Sequence, residues 1–290
     1  MGLRLKFNLV LIAVFVVGLG VTGYVSYELL HRNAREEVLR NAGVMMEASL
    51  SMRSYTVGQV RPNLAVDPDK FLPQSVPAFG ATEIMTLLRK KYPDYAYKEA
   101  ALNPTNLRNR AVEWETDIVN AFRADPSRPE ISGMRETPTG RSLYLARPFQ
   151  IKDPACLSCH TTPEMAPAAM VKIYGPNNGF GWQLNEVIGA QIVSVPMDLP
   201  IRNANRAFVT FMSSLAVVFA VLFVVLNMML SALIVQPITR LSHAADQISK
   251  GRLDAAEFPD TGKDEVSQLG QAFNRMRRSL EKAISLIDKA

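Results

Sequence analysis

Two long uncharged apolar stretches constrain the fold of this chain more than any other feature. Residues 7–27 contain no charged side chain over 21 positions, and residues 208–235 contain none over 28. About 20 apolar residues are enough to cross a bilayer as a helix. The sequence therefore predicts two transmembrane helices in contact with membrane lipid, with residues 28–207 between them.

A cleaved signal peptide is the alternative interpretation of the first stretch, because Arg4 and Lys6 precede an apolar run. The run is long for a signal peptide, however, and its end, VTGYVSY, has no small-x-small cleavage pattern. We therefore expect an uncleaved anchor. The length of the second stretch likewise argues against a buried core helix.

The only two cysteines of the chain lie beside a histidine in the string CLSCH, as Cys156, Cys159 and His160. A structural zinc ion needs about four ligands. The histidines that remain are His31 and His243, at the membrane edge and beyond the second span. A thioredoxin-like redox pair would lie in a βαβ unit with a helix starting at the first cysteine, whereas the flanking residues here indicate a loop.

The remaining chemistry is c-type haem attachment, of which Cys-x-x-Cys-His is the signature. Two thiols at this spacing can each bond one vinyl group of a porphyrin, and the adjacent histidine can then ligate the iron. The sequence therefore predicts one covalently attached haem c. An accidental or disulfide-forming cysteine pair is the alternative.

Haem attachment also orients the chain, because haem c is assembled outside the cytoplasm. Positive charges flank both ends of both spans, so the charge rule does not decide the orientation. The haem places residues 28–207 in the periplasm and residues 1–6 and 236–290 in the cytoplasm of a two-pass bacterial inner-membrane protein. The net charge of +5 is divided between two compartments, so no nucleic-acid partner is expected.

The segment after the second span has the apolar spacing of a helical bundle. Four apolar positions spaced 3, 4 and 3 lie in 238–248, a break follows at Gly251, and Asp264-Glu265 opens a second run of seven apolar positions that ends at Ile287. Steps of 3 and 4 produce a stripe along which helices pack side by side. Two short helices cannot bury such stripes alone, so we expect this segment to dimerise.

This arrangement resembles the HAMP linker of bacterial receptors, over about residues 233–287. The resemblance implies a parallel four-helix bundle in a homodimer, which relays movement of the membrane helix. Because the sequence ends at Ala290, we expect a separate cytoplasmic signalling protein to read this bundle, unless the sequence is part of a longer receptor.

The outer segment has helix and strand signals in succession. Residues 28–60 favour a helix that continues the first span, and shorter helices are predicted at 82–91 and 110–123. Strands are predicted at 142–149 and 187–195, where β-branched residues lie between turns. We expect an α+β fold with a small antiparallel sheet.

Three strings together, SMRSYTVGQVRPNL, CLSCHTTPEMAP and NNGFGWQLNEVIGAQIVSVPM, resemble the periplasmic c-haem PAS-like sensor family, formerly a domain of unknown function. The resemblance covers about residues 35–198. It implies a PAS-like fold, thioether bonds at Cys156 and Cys159, and His160 as the proximal iron ligand. Some members use a third cysteine as the distal ligand, and this chain has none.

Methionines on the N-terminal helix are the candidates for that distal ligand, because a thioether can bind haem iron. Met52 is our first candidate, with Met45 and Met46 as alternatives; core packing of these methionines, or an open iron site, are the other interpretations. Three arginines are candidates for binding the haem propionates: Arg53, Arg61 and Arg147.

The sequence thus predicts a membrane-bound haem c sensor. A filled distal site would make it a redox sensor, whereas an open site would bind a diatomic gas, NO, CO or O2. In either case a change at the iron shifts a helix, and the HAMP bundle changes its packing. The alternative is a membrane-anchored monohaem electron carrier, which would not need a signalling bundle. We expect no enzyme activity, because no histidine remains as a distal acid or base.

Overall fold

The computed structural model describes residues 2–64, 70–252, 257–259 and 262–287. The packing divides the chain into two units. One consists of residues 28–207, and the other combines residues 1–27 with residues 208–290.

The first unit contains most of the secondary structure. Its helices are α1 (Leu3–Tyr55, from residue 28 onward), α2 (Pro77–Lys91), α3 (Glu113–Ala124), α4 (Leu157–His160) and α5 (Ala168–Tyr174). Its strands are β1 (Ala96–Ala101), β2 (Ile131–Thr137), β3 (Gly140–Gln150) and β4 (Val187–Pro196). The strands form one antiparallel sheet in the order β1-β4-β3-β2.

Strand β4 lies at the centre of this unit, and nearly all of it is buried. Side chains alternate between the two faces of a strand. Val193 and Val195 belong to a core cluster that includes residues of α1 and α2, whereas Ala190 and Ile192 belong to a second cluster that includes residues of α3. The sheet is therefore covered by helices on both faces.

The predicted α+β fold is confirmed, and so are the helices and strands expected in this unit, which begin or end within a few residues of the predicted positions. Strands β1 and β2 were not predicted. Strand β1 reads AYKEAA, and alanine, lysine and glutamate are all poor strand formers. Its pairing with β4 in full register, from Ala96 with Ser194 to Ala101 with Gly189, overrides that local preference. The PAS-like topology stays a prediction.

Helix α1 presents one buried stripe to the sheet, formed by Ala34, Val38, Ala42, Met46 and Ser49. Steps of four and three keep these side chains on one face. The helix is α-helical to Tyr55 and continues as a π-helical turn, Thr56–Val60, followed by a 3-10 turn at Arg61–Asn63.

The second unit contains two helices that are long and apolar enough to cross a membrane. In the described residues these are the start of α1 and helix α6 (Asp198–Leu230), and their most apolar windows have mean hydropathies of 2.3 and 2.7 with no buried residue. Phe15 stacks on Phe219 at 4.7 Å between ring centroids, and Tyr27 meets Phe208 edge to face at 5.7 Å. The two apolar helices therefore pair through aromatic contacts.

Helices α7 (Gln236–Ser249) and α8 (Glu265–Ile287) follow a π-helical turn at Ser231–Val235. Their bounds match the two predicted amphipathic helices. Gly251 has φ +82° after the end of α7, the conformation that glycine favours at a helix C-terminus. The Asp264 carboxylate accepts a hydrogen bond of 2.7 Å from the Ser267 N–H and so caps α8. Residues 253–256 and 260–261 of the predicted connector, and the side chain of Ile287, lie outside the described residues.

Replacing Phe122 by alanine should lower the free energy of unfolding of the first unit by about 3–5 kcal/mol, because a fully buried ring is lost. Trp114 and Trp182 both lie in this unit, so tryptophan fluorescence during urea unfolding in detergent measures the change. Leu107→Ala is the control, because Leu107 is 58% exposed and should change stability by less than about 0.5 kcal/mol. Equal losses in both variants would contradict this account of the core.

Candidate cofactor site

A cavity of about 800 Å³ opens in the first unit between the end of α1 and the CLSCH segment. The loop before α2, the end of β1 and the end of β3 form its other walls. This volume lies within the range of protein sites for cofactors and other small ligands.

The CLSCH segment forms a short helical turn in the wall of this cavity. A 3-10 turn at Pro154–Cys156 leads directly into α4, and the Asp153 carboxylate accepts a hydrogen bond of 2.8 Å from the Ala155 N–H. The loop expected on the N-terminal side of the motif ends at Asp153, one residue earlier than predicted, because Asp153 caps the turn and Pro154 suits its first position. Cys156 and Cys159, three apart, both line the cavity as free, partly buried thiols.

His160 also lines the cavity, and its ring is held on two sides. Its Nδ1 lies 2.7 Å from the carbonyl oxygen of Gly179, and its ring stacks on Trp182 with 3.9 Å between centroids. A carbonyl oxygen only accepts hydrogen bonds, so Nδ1 bears the proton and the lone pair lies on Nε2. Hydrogen bonding of Nδ1–H to a carbonyl is the usual way in which a metal-binding histidine is oriented.

Burial lowers the pKa of His160, against the opposing effect of the Gly179 carbonyl. The imidazole is therefore neutral at neutral pH, which is the form that binds a metal ion. Burial, and then the neighbouring Asp153 carboxylate, raise the pKa of the Cys156 thiol, while two nearby arginines act in the opposite direction. The Cys156 side chain is therefore protonated at neutral pH.

Gly179 is required at its position for two reasons. Its φ is +83°, a left-handed conformation that other residues rarely adopt, and a Cβ atom there would overlap Thr105. The Thr105 hydroxyl itself lies 3.4 Å from the Nδ1 atom of His160. The turn through Gly179 is thus the element that brings its carbonyl to the histidine.

None of the three methionines proposed as distal ligands lines the cavity. Met46 is fully buried in the core cluster beside β4, and Met45 packs against that cluster. Met52 contacts the α2 helix, where a Cβ on Gly80 would come within 3.1 Å of its Cε atom. Ligation by these residues stays a prediction. Met170 of α5 is the methionine that does line the cavity among the described residues, and no signal in the sequence distinguished it.

A buried polar cluster lies at the junction of α1 and β1 beside the cavity. The Arg53 Nη1 atom donates to the Glu99 carboxylate at 2.5 Å, and the Tyr97 hydroxyl donates to the other Glu99 oxygen at 2.8 Å. Glu99 is only 1% exposed, and the Arg53 guanidinium also lies 4.7 Å from the centre of the Phe149 ring. Burial, then the Glu99 charge, raise the pKa of Tyr97 far above its ordinary value, so this hydroxyl is a permanent donor.

The three arginines proposed to bind propionates divide into two groups. Arg53 and Arg61 line the cavity, whereas Arg147 does not and pairs at 2.6 Å with Glu47 of α1. Arg108, in a 3-10 turn at Leu107–Asn109, lines the cavity and was missed, because an arginine outside any motif has no distinguishing signal. Among the described residues, no group of three or more histidine, cysteine, aspartate or glutamate side chains is placed to hold a metal ion.

Comparison with known proteins identifies the family. Residues 31–196 of the 290 match the family model Tll0287-like, described as Tll0287. The chain belongs to the Tll0287-like family. The HAMP domain model matches residues 229–282, so both expected resemblances are confirmed.

The chain is also similar to a solved structure, "Crystal structure of the cyanobacterial heme-protein Tll0287". The sequence identity is 14% and the TM-score is 0.45, over 55% of this chain and 95% of that chain. No curated protein matched the chain. Every cavity residue named above lies within the Tll0287-like domain.

Replacing Gly179 by alanine should release the His160 ring, because the added Cβ displaces the turn that supplies the carbonyl acceptor. In ¹⁵N-histidine NMR spectra of the haem-free chain, the single Nδ1–H tautomer of His160 should give way to a mixture. Gly175→Ala is the matched control: Gly175 has φ +82° but an added Cβ meets nothing within 4 Å. An unchanged His160 tautomer in Gly179→Ala would refute this role.

His160 should titrate below its ordinary pKa of 6.5 in the haem-free folded chain. Because the unfolded chain then binds the proton more readily, this residue should reduce stability as the pH falls below 6.5 and have no such effect above it. A pH titration of the ¹⁵N-histidine signals, with His160→Gln used to assign the resonance, measures the pKa. A value above 6.5 would contradict the predicted effect of burial.

Proposed function

We propose that this Tll0287-like domain binds one haem c and that the chain is a two-pass membrane sensor. The observation that carries the proposal is His160, whose Nδ1–H is held by a carbonyl and whose Nε2 is left available beside two cavity-lining thiols. The HAMP domain that follows the second apolar helix supports a signalling role.

The residues of the cavity fit a haem by the chemistry of their donors. Cys156 and Cys159 would form the thioether bonds, and His160 would be the proximal ligand. When bound, haem supplies an iron that can gain or lose an electron or bind a diatomic gas. The apolar walls, which include Phe71, Phe79 and Phe149, would shield the apolar ring from water.

Family membership supports the same cofactor. The family bears the name Tll0287, and the Tll0287 protein of the cyanobacterial crystal structure is described as a heme-protein. Because haem c is attached outside the cytoplasm, the proposal places residues 28–207 in the periplasm. Residues 236–290 would then lie in the cytoplasm, where a separate signalling protein would bind them.

The signal would pass along the chain itself. Helix α1 is uninterrupted from Leu3 to Tyr55 and ends in the cavity wall, where Arg53 pairs with Glu99. At the other end of the domain, β4 connects through Met197 directly to α6. A change of charge or ligation in the cavity would act on Arg53 and so shift the balance between two packings of α1.

The output would be a change in a HAMP dimer. Helix α8 exposes large apolar side chains at heptad spacing, among them Leu269, Met276 and Leu280 at 53%, 55% and 40% exposure. A second copy of the chain would bury this stripe in a four-helix bundle. In this proposal the chain has no enzyme activity, and it reports either the redox state of the iron or binding of a gas.

His160→Ala should uncouple the HAMP segment from the state of the haem, because the iron loses its bond to the residue that fixes its position. Met276→Cys is introduced into both the parent chain and the His160→Ala variant. A bismaleimide can then crosslink the two copies of a dimer through this cysteine in the cytoplasm. The crosslinked fraction should differ between oxidised and reduced membranes in the parent chain, by about fivefold for a coupling of about 1 kcal/mol, and should be equal in His160→Ala.

The same samples test the cofactor separately. The denatured parent chain should retain one haem by mass, Cys156→Ala with Cys159→Ala should retain none, and Ser158→Ala should match the parent. A parent chain without covalent haem, or a crosslinking response that survives His160→Ala, would refute the proposal. Optical spectra with CO then distinguish the two stimuli, because a filled distal site would not respond.

A further inference from the structure

Among the residues that the structure describes, the side chains lining the cavity carry more positive than negative charges. Of the described lining residues, four are cationic and two are acidic. The cations are Arg53, Arg61, Arg108 and Lys152, and the acids are Glu99 and Asp153. An excess of two positive charges favours a ligand with two negative charges.

Two of the four cations already have partners. Arg53 pairs with the buried Glu99, and the Arg108 Nη1 atom pairs with Glu83 at 2.9 Å. The side chains of Arg61 and Lys152 form no hydrogen bond or ion pair with any residue that the structure describes. Both are exposed, which places them at the rim of the cavity rather than among its aromatic walls.

The π-helical turn explains why Arg61 reaches the cavity at all. In a regular α-helix, a residue eight positions after Arg53 is rotated about 80° past two complete turns. A π-helical turn contains about one additional residue, and the turn at Thr56–Val60 lies between the two arginines. This extra residue cancels the rotation to within about 20° and returns Arg61 to the face of Arg53.

We infer that Arg61 and Lys152 bind the two carboxylates of the haem proposed above, an inference that rests on the proposed function. Arg61 can form a bidentate pair, and Lys152 supplies a single ammonium donor. Lys152 lies four residues before Cys156. Through its two carboxylates, the cofactor therefore joins the end of the membrane helix to the segment that attaches it.

The test compares Arg61→Gln and Lys152→Gln with Arg128→Gln, in full-length haem-loaded chains in detergent. Arg128 is exposed and does not line the cavity. Loss of a cation beside the haem favours the oxidised iron, so both cavity variants should have a lower midpoint potential, while Arg128→Gln should not change. A tenfold shift in the reduction equilibrium corresponds to about 59 mV.

Redox-difference infrared spectra separate contact from a distant charge effect. The haem carboxylate bands should shift in Arg61→Gln and Lys152→Gln, and Arg61→Lys and Lys152→Arg should largely restore the parent bands. A lower potential with unchanged carboxylate bands would overturn the inference, as would unchanged potentials. A parent chain that has no covalent haem would instead refute the proposed function, and this is seen before any variant is made.

Discussion

Burial of strand β4 on both faces is the constraint on which the rest of the first unit depends. Its two neighbours, β1 and β3, satisfy its backbone hydrogen bonds, and helices on either side remove its apolar side chains from water. The segment that enters β4 contains Gly179 and Trp182, which hold the His160 ring, and the strand leaves through Met197 into α6. One buried strand therefore connects the wall of the cavity with the apolar helix α6.

The Arg53–Glu99 pair joins α1 to β1 beside the cavity. Its energetics suit a change between two conformations better than they suit stabilisation of the fold. The free energy lost when two charges are removed from water is about as large as the free energy gained from their attraction, so such a pair adds little net stability. Breaking it by loss of one partner is expensive, at about 3–5 kcal/mol, because a charge is left buried alone. Glu99 is nearly inaccessible while Arg53 is 19% exposed on the cavity side. A charge placed in the cavity therefore acts on the more exposed partner, which is the one on α1.

The sequence was sufficient to predict the parts whose signals are local. Two uncharged stretches and the heptad spacing of α8 each specify a helix without reference to the rest of the chain. The haem chemistry of the Cys-x-x-Cys-His string stays a proposal. The methionines show the opposite case. Met52 lies one residue before Arg53, yet Arg53 faces the cavity and Met52 packs against α2 near Gly80. The rotation of α1 about its axis determines which of the two side chains faces the cavity. That rotation depends on which side chains of α1 pack against the sheet.

Glu99 and β1 were missed for a related reason. A glutamate within AYKEAA indicates an exposed position, whereas the pairing of β1 with β4 buries Glu99 beside Arg53. Tyr97 lies on the same face of β1 two residues earlier, and both Glu99 oxygens accept hydrogen bonds. The π-helical turn could not be predicted from the sequence either, because no residue type specifies it. It begins at Thr56, which is fully buried, donates a hydrogen bond to the Met52 carbonyl and lies against α2 near Gly80. Helix packing at Thr56 therefore influences which side of the helix faces the cavity at Arg61.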